Sequence, residues 1–410
     1  MYMQQSKSLK NNSDMKRNPS QKRAIAHLSG PMMVLAGPGS GKTSVIVERT
    51  AHMIQEGKIP ASSVLVVTFS RAAAVEMKER FLKFTGVQRT GVTFGTFHGV
   101  FYGILKQAYG LNGGNILSEE EKYAILRDLV VNCAAEQSQE GDFVEDVAKE
   151  ISVVKGGRIA LEHYYSSCCP DEVFRQIFRG YRRVLNERRK LDFDDMLLSC
   201  YELLRKRKDI LAAWQKKFRY ILVDEYQDTN EIQENLILLI SRYQMPEINR
   251  FMVGDMKQSI YRFRKADLDI FNEKYLTYGV KDDNQRIDLK FNYRSNKIVL
   301  DSINYIFNAI MDQRYGGLEY DNDPHAQLNY DFLRKEKCEN EEKLQQAMHR
   351  LDQEKRFDSE IMLVLKPEEE KVDMVEYEAK MIGKRIHEMV GHLELDFYTG
   401  KRLACYKDIV

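Results

Sequence analysis

The stretch Val34-Leu35-Ala36-Gly37-Pro38-Gly39-Ser40-Gly41-Lys42-Thr43 decides the fold. Its apolar beginning reads as a buried strand, its glycines as a tight turn, and the residues from Lys42 onward as a helix start. Glycines let successive N–H groups converge on phosphate oxygens, and the N-terminus of a helix adds positive potential at the same point. Lys42 is placed to reach the outer phosphates, and the Thr43 hydroxyl to bind Mg2+. The strict phosphate-loop pattern asks for glycine where Ala36 stands. An ordinary Gly/Pro turn is the plain alternative, and the lysine and threonine directly behind the glycines argue against it. The chain is therefore expected to be α/β with a parallel sheet, whose ligands collect at the carboxyl ends of the strands.

Working outward, short apolar runs predict further buried strands at Val64 to Phe69, Tyr220 to Val223, Phe251 to Gly254 and Ile287 to Phe291, beside Met32 to Ala36. The run Tyr220-Ile221-Leu222-Val223 ends in two acids, Asp224 and Glu225. Such a pair serves either as a helix cap or as a Mg2+ ligand beside a water-activating base. Next to a phosphate loop the catalytic reading is preferred. Between about 111 and 190 the spacing turns helical, with Phe174, Ile177, Phe178, Tyr181 and Leu185 on one face. The three acids of Leu191-Asp192-Phe193-Asp194-Asp195 read as an acidic helix start rather than a metal site. Residues 1 to 17 are polar and expected to be disordered, and Lys335 to Lys355 is expected to be a loosely packed helix or loop.

With 62 basic and 61 acidic residues among 410, the net charge of +1 advertises no polyanion partner, so any nucleic-acid surface must be local. The cysteines, Cys133, Cys168, Cys169, Cys200, Cys338 and Cys405, lack CxxC spacing and read as reduced thiols. Neither a signal sequence nor a membrane-length apolar run is evident, which predicts a soluble cytoplasmic protein without a membrane partner.

The run Asp224-Glu225-Tyr226-Gln227-Asp228 resembles the acidic motif of UvrD-type superfamily 1 DNA helicases, and further motifs follow in that family's order. Asn18-Pro19-Ser20-Gln21 resembles its adenine-reading Q motif, and Ala36 fits its usual AGxGSGKT loop. Thr68-Phe69-Ser70-Arg71-Ala72 is similar to the motif that grips single-stranded DNA, although the family more often has Thr-Asn-Lys at Ser70 to Ala72. Thr96-Phe97-His98 is similar to the next DNA-contacting motif. Val253 to Arg264 resembles the motif that couples nucleotide to DNA, and Asn292-Tyr293-Arg294-Ser295 the arginine motif. The form Arg262 to Asp267, with Phe263 where UvrD usually has tryptophan, leans toward the AddA or RecB branch.

The resemblance implies a RecA-like lobe that binds ATP and Mg2+. Gln21, Gly37, Pro38, Gly39, Ser40, Gly41 and Tyr293 would line the nucleotide, Thr43 and Asp224 would hold the metal, and Lys42, Glu225, Gln258 and Arg294 would act in hydrolysis. Phe69, Tyr261 and Phe263 offer faces for stacking bases, while Arg71, His98 and Arg264 offer phosphate contacts. Core packing is the ordinary fate of a lone phenylalanine, and a surface salt bridge that of a lone arginine; their places inside motifs lift them above that. The implied organisation is a first lobe at 18–110 and 191–291, a helical insertion at 111–190, and an incomplete second lobe at 292–410 ending in a strand near Tyr406 to Val410. Two function classes follow. One is an ATP-dependent helicase acting 3′ to 5′ on single-stranded DNA or on DNA with a 3′ single-stranded tail. The other is a nucleotide- and DNA-binding module of little turnover, completed by a partner chain that supplies the missing helicase half or a nuclease.

Overall fold

In the computed structural model, the described residues are 17–133, 142–241, 249–259, 267–280, 285–312 and 327–331, scattered positions from 314 to 349, and most of 374–406. Six strands form one parallel sheet: β1 Met32–Ala36, β2 Val64–Thr68, β3 Thr93–Thr96, β4 Tyr220–Val223, β5 Arg250–Gly254 and β6 Gln285–Leu289, in the order β3-β2-β4-β5-β1-β6. The inner strands are near-continuous apolar runs because helices cover both faces. Met32 and Val34 of β1 turn to one core, Met33 to the other. Every strand points the same way, so all six carboxyl ends lie along one edge.

One face is covered by α1 Pro19–Ala26, α2 Lys42–Gln55 and α3 Arg71–Thr85; the other by α4 Phe97–Tyr109 and, later in the chain, Phe193–Lys206, Lys208–Lys217 and Glu231–Ile240. Between them, α5 Glu119–Cys133, α6 Phe143–Gly156 and α7 Asp171–Glu187 pack on one another around a separate core containing Leu126, Ile151, Ile177 and Tyr181. The chain enters and leaves this cluster side by side: Leu117 donates its N–H to Leu191 at 2.9 Å, and Leu191 donates to Asn115 at 2.8 Å. The acidic run at 191–195 starts α8 Phe193–Lys206, with the Asp192 side chain accepting from the Asp195 N–H at 2.8 Å. After α9 Lys208–Lys217, α10 Glu231–Ile240 and α11 Leu268–Thr277, the chain leaves β6 into a two-residue strand β7 Phe291–Asn292, then α12 Lys297–Ile310 and β8 Asn329–Tyr330, which pairs parallel to β7.

Residues 355–410 form a second compact unit, in which the described part is α13 Met374–Met389 and an antiparallel hairpin of β9 Glu394–Phe397 and β10 Gly400–Leu403. The expected disorder of 1–17 falls outside the described residues except at Arg17, which is ordered by its pairing with Glu48 rather than disordered; the final strand beyond Tyr406 and most of Lys335 to Lys355 also fall outside them. Cys133, Cys168, Cys169, Cys200 and Cys405 are free thiols, and Cys338 is outside the described set. Among the described residues no helix is long and apolar enough to cross a membrane.

Candidate functional site

The phosphate-type loop runs from Ala36 at the end of β1 to Lys42 at the start of α2. Gly39 has φ +69°, and a Cβ there would stand 2.7 Å from Asn292 Nδ2 and 2.9 Å from Arg294 Cβ. Only glycine tolerates both the left-handed backbone and that approach. The loop is gripped from two sides. Asn292 Nδ2 donates to the Pro38 carbonyl at 2.8 Å and the Tyr293 N–H to that of Gly39 at 2.9 Å. From the other side the wholly buried Gln21 donates Nε2 to the Ser40 carbonyl at 2.9 Å. Gln21 also accepts from the Asn18 N–H at 3.2 Å, and Asn18 accepts from the Gln21 N–H at 2.7 Å, a capping box that starts α1. Asn18 Nδ2 reaches the Tyr293 hydroxyl at 2.7 Å, so the Q-motif turn and the tyrosine adjoin.

Opposite the loop, β4 delivers Asp224 and Glu225, and β5 delivers Asp255 and Gln258. Glu225 sits at φ 48°, ψ 47°, a left-handed conformation that costs a non-glycine residue about 1–2 kcal/mol. That turn carries its carboxylate to Lys42: Nζ is 2.8 Å from Glu225 Oε2 and 3.1 Å from Gln258 Oε1. Gln227 Nε2 donates to the same Glu225 oxygen at 2.8 Å, while its Oε1 accepts from the Asp255 N–H at 3.0 Å. Gln258 Nε2 returns to Asp255 Oδ2 at 2.8 Å. Lys42, Glu225, Gln227, Asp255 and Gln258 thus close a ring of hydrogen bonds across three adjacent strands.

The other predicted residues lie further along the same sheet edge. Phe69, half-buried, follows β2, and Arg71 is exposed at the start of α3, which Ser70 caps by accepting from the Ala73 N–H at 3.1 Å. His98 stands in the first turn of α4 after β3, its ring edge-on to Phe193 with centroids 5.3 Å apart. Burial depresses the His98 imidazole below its ordinary value against the pull of Asp194, which favours the neutral ring. Arg294 is exposed beside Gly39 and has no carboxylate partner among the described residues. Tyr261, Phe263 and Arg264 lie outside the described residues.

A family model described as the UvrD/REP helicase N-terminal domain matches residues 17–279, the span that holds the loop, both acids and the ring. The chain belongs to the UvrD/REP helicase family. It is similar to the putative ATP-dependent DNA helicase YjcD of Bacillus subtilis strain 168, with 34% identity over 299 residues, 70% of this chain and 38% of that protein. The ATP-dependent DNA helicase PcrA of Staphylococcus aureus strain Mu50 is 30% identical over 326 residues, 76% of this chain and 43% of the relative. PcrA of Bacillus subtilis strain 168 is 31% identical over 334 residues, 76% of this chain and 42% of the relative. The chain spans about two fifths of the length of these relatives.

The electrostatics of this helicase-family site suit a divalent cation. Asp224 is buried, and its Oδ1 has no hydrogen-bond partner. Burial, reinforced by the charge of Glu225 and opposed by Lys42, pushes its carboxyl up to about 7. Burial and Glu225 likewise push Asp228 up to about 6. A buried, unpaired carboxylate oxygen is an atom that a cation would satisfy, and the half-buried Thr43 hydroxyl follows Lys42 on α2. Four residues of this site have no role assigned by the sequence motifs: Gln227 joins Glu225 to the β5 loop, Asp255 ties that loop to Gln258, Asn292 bonds the phosphate loop directly, and Asn18 bonds Tyr293. Gly254 was a clue to the first: a Cβ there would lie 2.6 Å from Gln227 Oε1.

Proposed function

We propose that the chain is the nucleotide-hydrolysing part of an ATP-dependent DNA helicase. It would use Mg2+ and move 3′ to 5′ along single-stranded DNA, with a duplex bearing a 3′ single-stranded tail as substrate. One observation carries this reading: Lys42, Glu225 and Gln258, from three strand ends, meet within hydrogen-bond distance. A phosphate bound at Lys42 is then also beside a carboxylate that can orient water and an amide that can sense the phosphate.

In the mechanism, the loop N–H groups between Gly37 and Gly41 and the Lys42 ammonium hold the phosphates. Asp224 and Thr43 would hold Mg2+, which neutralises charge on the phosphate oxygens. Glu225 orients the attacking water and takes its proton, and the Lys42 contact holds that carboxylate in place until phosphate arrives. Gln258 reports the outer phosphate to the coupling motif, and Arg294, anchored beside Gly39, stabilises charge in the transition state. The Asn18–Gln21 turn and Tyr293 take the adenine side. Phe69, Arg71 and His98 receive DNA, His98 as a neutral hydrogen-bond donor, with Tyr261, Phe263 and Arg264 of the coupling motif completing the surface. In this reading 18–110 and 191–291 are the first RecA-like lobe, 111–190 its helical insertion, and 292–410 belongs to a second lobe.

The test is steady-state ATP hydrolysis by the 410-residue chain with and without single-stranded DNA, beside Lys42→Ala and a chelated sample. Turnover that needs Mg2+, rises with DNA and disappears in Lys42→Ala is expected. Equal turnover in wild type and Lys42→Ala would end the proposal.

A further inference from the structure

The helix that begins at Lys42 also carries two charged residues turned inward, Glu48 and Arg49. Arg49 is 3% exposed. Its Nη1 donates to the Ala24 carbonyl at 2.9 Å and to the carbonyl of His27. Ala24 and His27 belong to the last turn and C-cap of α1, where a helix leaves carbonyls without intrahelical partners and its dipole favours a cation. The guanidinium also lies 4.4 Å from the centre of the Phe251 ring on β5. Burial pulls Arg49 down to about 9, which still leaves it charged at neutral pH. At the other end of α1, Arg17 precedes the Asn18 cap and pairs with Glu48 through two contacts, one from Nε at 2.9 Å.

At eight residues α1 is far too short to persist on its own propensity. Its geometry must be imposed by what holds it. α2 holds it at both ends through adjacent residues, and what α1 presents is the Asn18–Gln21 turn, with Gln21 on the Ser40 carbonyl and Asn18 on the Tyr293 hydroxyl. We infer that Arg49 is a positioning residue for nucleotide selection, fixing α1 on α2 so that this turn meets the phosphate loop and Tyr293 in one arrangement. The inference rests on the reading of that turn as the adenine side of the site. Because Asn292 and Tyr293 grip Pro38 and Gly39 independently of α1, loss of Arg49 releases the base side while the phosphate loop loses only the weaker hold through Gln21 on Ser40 and keeps the other. Lysine is a poor substitute, since its ammonium has no planar face to lay on the Phe251 ring while it donates to the carbonyls.

The experiment measures dissociation constants of the full chain for ATP and for UTP, in Mg2+, for wild type, Arg49→Met, Arg49→Lys and Gln21→Ala, with a thermal melt of each. Arg49→Met is expected to weaken ATP about tenfold, or about 1.4 kcal/mol, and UTP less than about twofold. Arg49→Lys should fall between. A folded Arg49→Met chain that keeps the wild-type ATP-to-UTP ratio overturns the inference, and so does equal weakening of both nucleotides, the mark of a merely structural role. If Gln21→Ala loses the ratio and Arg49→Met does not, positioning by Arg49 fails and the base-side reading stands. If Gln21→Ala keeps the ratio, the base-side reading fails and takes the inference with it. Should Arg49→Met not fold, Arg49→Lys, which keeps the charge and loses the planar group, carries the same measurement with the same outcomes.

Discussion

Glu225 and Gln227 divide one task between them. Glu225 is aimed by an unusual backbone turn and held by Lys42, whereas Gln227 connects that carboxylate to the Asp255 N–H. Substituting Gln227→Ala removes the acceptor of a buried N–H, a loss of roughly 1–3 kcal/mol, and frees Glu225 to turn. Glu225→Gln deletes the base and keeps the shape, so it should spare ATP binding and lower turnover by about 10²–10⁴. Gln227→Ala should also lower kcat with KM little changed, by less than Glu225→Gln does, and should reduce the melting temperature as well. Kinetics of the two variants side by side check this; a Gln227→Ala enzyme with wild-type kcat would mean that the backbone turn and Lys42 hold Glu225 without Gln227.

At the scale of elements, what was legible in the sequence follows from burial. β1, β2, β4 and β5 are largely runs of apolar residues, because strands covered on both faces need them, whereas β6, at the sheet edge, alternates around Ile287 and Leu289; each is expected within a residue or two of where it lies. Of the parallel sheet, β3 is the strand not expected: Thr93-Phe94-Gly95-Thr96 sits at the sheet edge, half-buried throughout, and has no apolar run to read; the short β8 and the β9–β10 hairpin were not expected either. The phosphate loop was legible because its chemistry demands glycine and lysine at fixed spacing. Its grip by Asn292 was not, since a contact across more than two hundred positions leaves no local pattern. That grip gives a prediction for the loop. Gly39→Ala puts a Cβ 2.7 Å from Asn292 Nδ2 on a left-handed backbone, so either the loop or Asn292 must shift. ATP affinity should fall by about tenfold or more, with a smaller effect on the melt, by titration and calorimetry of one sample. Unchanged affinity would show that the Asn292 contact is dispensable to the shape of the loop.

At the scale of the whole first unit, the helical cluster of α5, α6 and α7 is fastened to the sheet body by a buried charge. Lys155, near the end of α6, donates to Asp192 at 2.6 Å and to Asp195 at 2.9 Å, and the Tyr181 hydroxyl on α7 adds a bond to Asp192 at 3.0 Å. The acidic helix start read from the sequence is present, but two of its acids also serve this joint, which no spacing rule could reveal because Lys155 lies in a different helix. Burial opposes ionisation of Asp192, and the Lys155 ammonium overrides it, holding that carboxyl below its ordinary range. Burial and the neighbouring Asp192 push Asp195 up to about 6. A carboxyl depressed by folding contributes stability above its unfolded value of about 3.9, and loses it as pH falls through the folded value. Lys155→Met leaves the acids buried without their cation, which costs about 3–5 kcal/mol when both are charged. The gap in melting temperature between wild type and Lys155→Met should therefore be widest near pH 7. It should narrow toward about pH 4 as Asp195 and then the unpaired Asp192 of the variant take up protons. Adding Asp192→Asn to Lys155→Met should recover part of the loss at pH 7, since the uncompensated charge is then gone. A gap of the same size at every pH would mean that Lys155 acts through packing on Tyr181, whose ring centre lies 4.9 Å from its ammonium, rather than through the acids.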